Sequence, residues 1–257
     1  MINEKEPLLR VRCVEKYYEN SAIVTKVLDQ ISFDVQSGEY ISIMGASGSG
    51  KTTLLNCIST IDIVSAGHIL INGTDVTAMD DNSLADFRRD HLGFVFQDFN
   101  LLDTLTLEEN IALPLTVRKV VPNEIDARVF SIADRLALGE VLKKFPYEVS
   151  GGQKQRCAFA RAVICKPDLI MADEPTGSLD SDSARILLEV MSKFNQELHT
   201  TILMVTHDVF SASFSDRILF LKDGKIFNEI LKGEKKRNQF YCEILDILSA
   251  LGGERPC

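Results

Sequence analysis

An apolar run, Tyr40–Met44, ends in Gly45-Ala46-Ser47-Gly48-Ser49-Gly50-Lys51-Thr52. Glycines at 45, 48 and 50 let the backbone wrap tightly enough for consecutive N–H groups to point at phosphate oxygens. The helix that follows adds the positive end of its dipole. In such a loop Lys51 reaches the terminal phosphates, and the hydroxyl of Thr52, with Thr53 beside it, is placed for Mg²⁺. Set between a strand and a helix, this pattern predicts a site for a nucleoside triphosphate.

Three further strand tips carry polar residues. Leu169-Ile170-Met171-Ala172 closes on Asp173-Glu174. At such a tip Asp173 can join a Mg²⁺ shell, and Glu174 can orient and deprotonate a water. Taken alone, Asp-Glu-Pro is an acidic turn; beside a phosphate loop it reads as hydrolytic machinery. Gln97 follows Phe94-Val95-Phe96, so its amide is a candidate partner for Mg²⁺ or for the attacking water. His207 follows Ile202–Thr206 and is placed for the γ-phosphate and that water. Only their positions raise Gln97 and His207 above ordinary surface residues, and His68, His91 and His199 carry no assigned role. Ser150-Gly151-Gly152-Gln153 opens a helix. Serine caps it, glycines allow close approach, and the free N–H groups make a second anion site. One chain needs one phosphate loop, so this second site is predicted to serve a triphosphate held by another copy.

These residues need a scaffold. The 257 residues are 45% hydrophobic and 25% charged, enough for one sizeable core with a subdomain. A net charge of −9 argues against a nucleic-acid partner. No apolar stretch reaches the roughly 18 residues of a membrane span. The polar start, Met1–Glu6, lacks the apolar segment of a secretory signal, which predicts a cytosolic chain. Six cysteines are scattered with no Cys-x-x-Cys pair, so they read as free thiols rather than a zinc site.

Strands are predicted at Leu8–Val14, Ile31–Val35 and Tyr40–Met44, then a helix over Lys51–Thr60. Ile69–Ile71 ends at Asn72-Gly73, a hairpin signal, and Leu92–Phe96 is another strand. Helical patterns follow from Leu107, over Ala127–Leu138 and over Gly152–Cys165. Strands return at Leu169–Ala172, Ile202–Val205 and Ile218–Leu221, and Asp223-Gly224 turns into Ile226–Phe227. This alternation predicts an α/β fold with a mostly parallel sheet covered on both faces. Phe240, Ile244, Leu248 and Leu251 fall at helical spacing before Gly252-Gly253. That is an amphipathic helix docked on the body, with a membrane-surface or partner helix as the alternative.

The motifs, in this order, resemble the ATP-binding cassette (ABC) family over nearly the whole chain. Gly45–Thr52 corresponds to Walker A, Leu169–Asp173 to Walker B with the catalytic Glu174 next, and Gln97 to the Q-loop. Val149-Ser150-Gly151-Gly152-Gln153 corresponds to the signature, with Val where Leu is usual. Ser178-Leu179-Asp180 corresponds to the D-loop, His207 to the switch histidine, and Tyr17 to the aromatic that stacks on adenine, with Tyr18 adjacent. The resemblance implies ATP and Mg²⁺ and a P-loop NTPase fold with an N-terminal antiparallel β subdomain. It divides the chain into a core over 1–96 and 167–230, a helical signature subdomain over 97–166, and a tail over 231–257. It also implies two copies facing head to tail around two ATP molecules, moving a membrane permease from its cytoplasmic side.

Within the family, Phe87–Asp98, Asn100–Thr106, Ala172–Gly177 and Phe220–Gly224 resemble the macrolide-exporter and lipoprotein-release group. The tail, Phe240–Gly253, resembles the ATPases of resistance to bacitracin and other antimicrobial peptides. There the ATPase pairs with a large permease and often works beside a two-component sensor kinase. Asp98–Thr106, with apolar Phe99, Leu101 and Leu102, would receive the permease's coupling helix. The competing classes are a cassette ATPase of DNA repair or translation, one of division or mechanical signalling, and a nucleotide-binding scaffold without turnover. Glu174 and His207 stand against the last.

Overall fold

The computed structural model describes residues 6–20 and 23–252. Met1–Lys5, Gly253 and Cys257 lie outside the described residues, as does the side chain of Leu251. Strand β1 (Leu9–Asn20) pairs antiparallel with β2 (Ile23–Val35) and, on its other edge, with β4 (Ala66–Ile71). These strands run well past the short segments that the alternation predicts. β4 turns at Asn72-Gly73 into β5 (Thr74–Asp75), both turn residues having positive φ as a tight hairpin requires. The result is a four-stranded antiparallel sheet, β2-β1-β4-β5.

The second sheet contains β3 (Tyr40–Met44), β6 (Leu92–Val95), β7 (Leu169–Asp173), β8 (Thr201–Thr206), β9 (Arg217–Lys222) and β10 (Lys225–Leu231). Its order is β10-β9-β3-β8-β7-β6. Only β10 is antiparallel to its neighbour. β3 and β8 are buried throughout, which is why they read as apolar runs rather than alternating strands. The register sets Met44 opposite Thr206, Asp173 opposite Val205, and Val95 opposite Ala172. Parallel strands share one C-terminal edge. The residues just past it, Gly45, Gln97, Glu174 and His207, are gathered there, where open α/β sheets bind ligands.

Alternate side chains leave the sheet in opposite directions. Ile41, Ile43, Met171, Leu203 and Val205 pack against α1 (Lys51–Ile58), α2 (Asp81–His91) and the antiparallel sheet. Tyr40, Ile170, Ala172, Ile202 and Met204 face the other way. They meet α3 (Leu107–Val117), α4 (Pro122–Arg135), α5 (Gly151–Val163) and α6 (Ser181–Leu198). The helical stretch therefore has no separate core; it shares one with α6 and the sheet. The predicted second helix begins at Pro122 rather than Ala127, because proline fits the first turn of a helix. α2 escapes the periodicity analysis altogether. It is mostly polar, buries Leu84 and Phe87, and starts where the Asp80 carboxylate accepts the Ser83 N–H at 2.8 Å.

The tail forms α8 (Arg237–Gly252), with Phe240 and Ile244 fully buried among Met44, Ala212, Ile218 and Phe220. Arg237 lies 5.4 and 4.4 Å over the rings of Phe210, in the one-turn helix α7 (Val209–Ala212), and Phe214, just past it. The tail's apolar face is thus spent on the body, as the docked reading expects. Among the described residues, no helix is long and apolar enough to cross a membrane.

Candidate active site

The loop after β3 closes around its own glycines. A Cβ on Gly45 would lie 2.2 Å from the Leu221 carbonyl oxygen, and Gly50 sits at φ 101°, so neither position accepts another residue without strain. Ser49 donates its N–H to the Ala46 carbonyl at 3.2 Å, and its buried hydroxyl has no hydrogen-bond partner. Lys51 folds back so that its ammonium donates to the carbonyls of Gly45 and Ala46 at 2.9 and 3.0 Å. Helices α2, α3, α5, α6 and α7 each begin under a side-chain cap, whereas α1 begins at Gly50 with none. Its first-turn N–H groups are left for an anion. The cleft in front of the loop holds about 660 Å³ and is lined by Val27, Ala46–Gly48, Gly50–Thr53, Glu174 and His207.

Asp173 lies behind this cleft, where the Thr52 hydroxyl donates to its carboxylate at 3.4 Å. Burial, then the charge of Glu174, raises the Asp173 carboxyl above its ordinary range, while Thr52 and Lys51 pull it back. Among the described residues no group of three or more His, Cys, Asp or Glu side chains is placed to hold a metal ion. One hydroxyl and one carboxylate oxygen beside a phosphate loop fit Mg²⁺, which takes few protein ligands and completes its shell with phosphates and water.

Glu174 has φ 45°, in the left-handed region, and its N–H donates to the Val205 carbonyl at 2.9 Å. Such strain costs roughly 1–3 kcal/mol and persists where the surroundings hold the residue. Its carboxylate accepts the Thr206 hydroxyl at 3.1 Å and the His207 N–H at 3.4 Å, and it meets His207 Nδ1 at 2.8 Å. The imidazole is 70% exposed and faces the cleft, while the carboxylate is mostly enclosed.

Gln97 stands outside the cleft and packs on Gly177, where a Cβ would lie 3.0 Å from its amide carbon. A buried residue that the motif analysis missed joins its loop to the acid pair. Gln155 on α5 donates its one amide nitrogen to the carbonyls of Phe96 at 2.9 Å and Pro175 at 2.7 Å. Its only local signal is helical spacing from Gly152 and Phe159, which puts it on the buried face.

Ser150 caps α5 in a reciprocal box with Gln153, over 3.3 and 3.0 Å. Gly152 has a packing reason of its own: a Cβ there would lie 2.6 Å from the Ser183 hydroxyl on α6. None of Ser150, Gly151, Gly152 or Gln153 lines the cleft. Asp180 caps α6, its carboxylate accepting the Ser183 N–H at 2.9 Å.

The two tyrosines diverge. Tyr17 points to the hairpin, its hydroxyl on Glu15 and its ring 5.3 Å under the Lys26 ammonium. Tyr18 points the other way. Its hydroxyl donates to Asp62 at 2.6 Å, beyond the end of α1. Neither ring lines the cleft: Tyr17 turns toward the hairpin and Tyr18 toward the end of α1.

A larger cavity of about 860 Å³ opens at the opposite edge of the parallel sheet, lined among others by Ser37, Asp168 and Thr201. It holds no phosphate loop and faces the strand N-termini, the wrong edge for the chemistry of this architecture.

A glycine loop at a parallel-sheet edge, a half-buried acid pair and a helical segment with its own capped glycine pair define a P-loop ATPase of the cassette type. The family model described as ABC transporter matches residues 28–177, more than half the chain. The chain belongs to the ABC transporter ATPase family, as the ATP-binding subunit of a bacterial transporter. It is 53% identical to the ABC transporter ATP-binding protein YxdL of Bacillus subtilis, over 96% of this chain and 95% of that protein. It is 47% identical to the bacitracin export ATP-binding protein BceA of Halalkalibacterium halodurans, over 96% and 97% of the two chains. Among solved structures, the dimeric post-hydrolysis state of the cassette MJ0796, bound to ADP and Pi, matches with a TM-score of 0.80. That match, at 36% identity, covers 87% of this chain and 98% of that one; MJ0796 comes from Methanocaldococcus jannaschii.

Proposed function

We propose that this chain powers a transporter that protects a bacterium from antimicrobial peptides acting on the cell wall. It works as a head-to-tail pair on the cytoplasmic side of a membrane permease, and a sensor kinase acts through that permease. The observation that carries the peptide reading is the 47% identity to a bacitracin export protein across 96% of this chain. The paired arrangement is supported by the position of the signature: Ser150–Gln153 lie away from their own chain's cleft.

In this reading the loop N–H groups and Lys51 hold the phosphates. Thr52 and Asp173 hold Mg²⁺, which neutralises phosphate charge when bound, and Gln97 joins them when its loop moves in from its place outside the cleft. Glu174 orients a water and takes its proton, and His207 presents its ring to the γ-phosphate. Segment 97–166 is the signature subdomain, which Gln97 informs of the nucleotide state. Asp98–Thr106 receives the permease. Asn110 holds that loop in shape, accepting the Leu102 N–H at 2.8 Å and donating to the Leu102, Leu105 and Thr106 carbonyls at 2.9 to 3.1 Å. Of its apolar residues, Leu102 is the open one; Leu101 and Phe99 are half-buried.

Two substitutions probe the site. Ser150→Arg is expected to abolish hydrolysis while ATP affinity of the isolated chain stays within about twofold, since the serine serves the other copy. Loss of monomer binding in a fluorescent-nucleotide titration would sink the trans arrangement. Tyr18→Ala should raise KM for ATP about tenfold, the scale of base stacking on an aromatic ring. Tyr17→Ala should leave KM unchanged, and the reverse pattern would return the adenine contact to Tyr17. The reading as a whole is tested by capture from native membranes with the Glu174→Gln variant and ATP. A permease with a large extracellular domain is expected. Recovery of ribosomal or DNA-repair proteins alone would overturn the transport reading.

A further inference from the structure

The residues around Glu174 close a hydrogen-bonded ring that no motif of the sequence describes. Thr206 is fully buried at the tip of β8. Its hydroxyl oxygen accepts the Asp208 N–H at 3.0 Å, so its proton is free for the Glu174 carboxylate, 3.1 Å away. The Asp208 carboxylate then accepts the Ser211 N–H at 2.8 Å and the Ser211 hydroxyl at 2.6 Å. With that proton committed, the Ser211 oxygen accepts from the Thr176 hydroxyl at 2.9 Å, a contact buried from solvent. Thr176 is two residues past Glu174, so the backbone through Pro175 completes the ring.

The direction of each donor is fixed by its neighbour. The chain ends with a hydroxyl proton on the same carboxylate oxygen that the His207 N–H approaches at 3.4 Å. The other oxygen meets the imidazole. A carboxylate held from both sides has little rotational freedom, which would keep one lone pair turned toward the cleft, where an attacking water would stand. A buried network of this kind is worth having only when every member is satisfied.

We infer that Thr206 is a positioning residue for Glu174, held in place by Asp208, Ser211 and Thr176, and that it acts on turnover rather than on ATP affinity. This rests on the reading of Glu174 as the group that takes the proton from water. The ring touches none of the phosphate-loop residues, so ATP binding and catalysis separate cleanly.

The test is steady-state hydrolysis and equilibrium ATP binding by the full chain carrying Thr206→Val, which keeps the shape and removes the hydroxyl. Affinity for Mg·ATP should remain within about twofold, and kcat should fall at least about tenfold, a part of what a correctly placed base contributes. Thr206→Ser, which restores the hydroxyl, should restore kcat. A kcat for Thr206→Val within twofold of the parent, a loss of affinity equal to the loss of rate, or no rescue by serine would each overturn the inference. Should Thr206→Val fail to fold, Ser211→Ala breaks the ring one link away. It should lower kcat several-fold at unchanged affinity, and an unchanged kcat would overturn the inference equally. Glu174→Gln measured alongside separates the two claims: turnover retained in that variant would remove the base itself, whatever Thr206→Val does.

Discussion

Glu174→Gln is expected to lower ATP turnover about a thousandfold while ATP still binds, within the range that a positioned base contributes. The geometry argues for a clean loss. The hydrogen bonds of Lys51 and Thr52 go to Gly45, Ala46 and Asp173 and none to the Glu174 side chain, so the nucleotide keeps its partners. The amide keeps one acceptor oxygen for the Thr206 hydroxyl or for the His207 ring, at present 3.1 and 2.8 Å from the carboxylate. It cannot take a proton from water. With hydrolysis blocked, ATP should hold two chains together, and gel filtration with ATP should show a dimer that ADP does not support. A variant that stays monomeric with ATP under all conditions would end the paired-site model. One that still turns over would remove Glu174 from the chemistry.

Lys51→Ala is expected to weaken ATP binding by about a hundredfold or more. Lys51 is 7% exposed, and its ammonium is already docked at the loop carbonyls of Gly45 and Ala46. Little side-chain entropy remains to be lost when phosphates arrive. Hydrogen bonds to a charged group contribute about 1.5–3 kcal/mol each, and two lost together reach the expected effect. Titration with a fluorescent ATP analogue gives the value directly. Affinity close to that of the parent chain would mean that the phosphate loop has been misassigned.

Most of the candidate site was legible in the sequence because strand tips are. Apolar runs ending in polar residues locate Gly45, Gln97, Glu174 and His207, and parallel pairing makes adjacent tips meet. Capping residues were legible for the same local reason: Ser150 and Gln153 satisfy each other within one turn of helix. The polar helix α2 was not, since only Leu84 and Phe87 of its residues are buried and no apolar stripe announces it. The choice between Tyr17 and Tyr18 was not legible either. β1 breaks register with β2 between Val11 and Val14, between Val14 and Lys16, and between Lys16 and Tyr17, with Cys13 at φ 47°. Each break shifts which side chains face which side, so counting by twos along the strand cannot say which ring turns toward α1.

By itself, then, the sequence determined the order of the apolar strands and of the helices with an apolar stripe, the phosphate loop, and which residue types stand at each strand tip. These depend on neighbours within a few positions of one another. The tertiary structure alone decided the bridge from Gln155 to Phe96 and Pro175, the ring from Thr176 through Ser211 to Glu174, and the side of β1 on which Tyr18 lies. Partners 20, 32 and 59 residues apart in the chain leave no periodic trace. Their hydrogen bonds exist only once packing has brought the groups within about 3 Å and removed the water that would otherwise serve each of them.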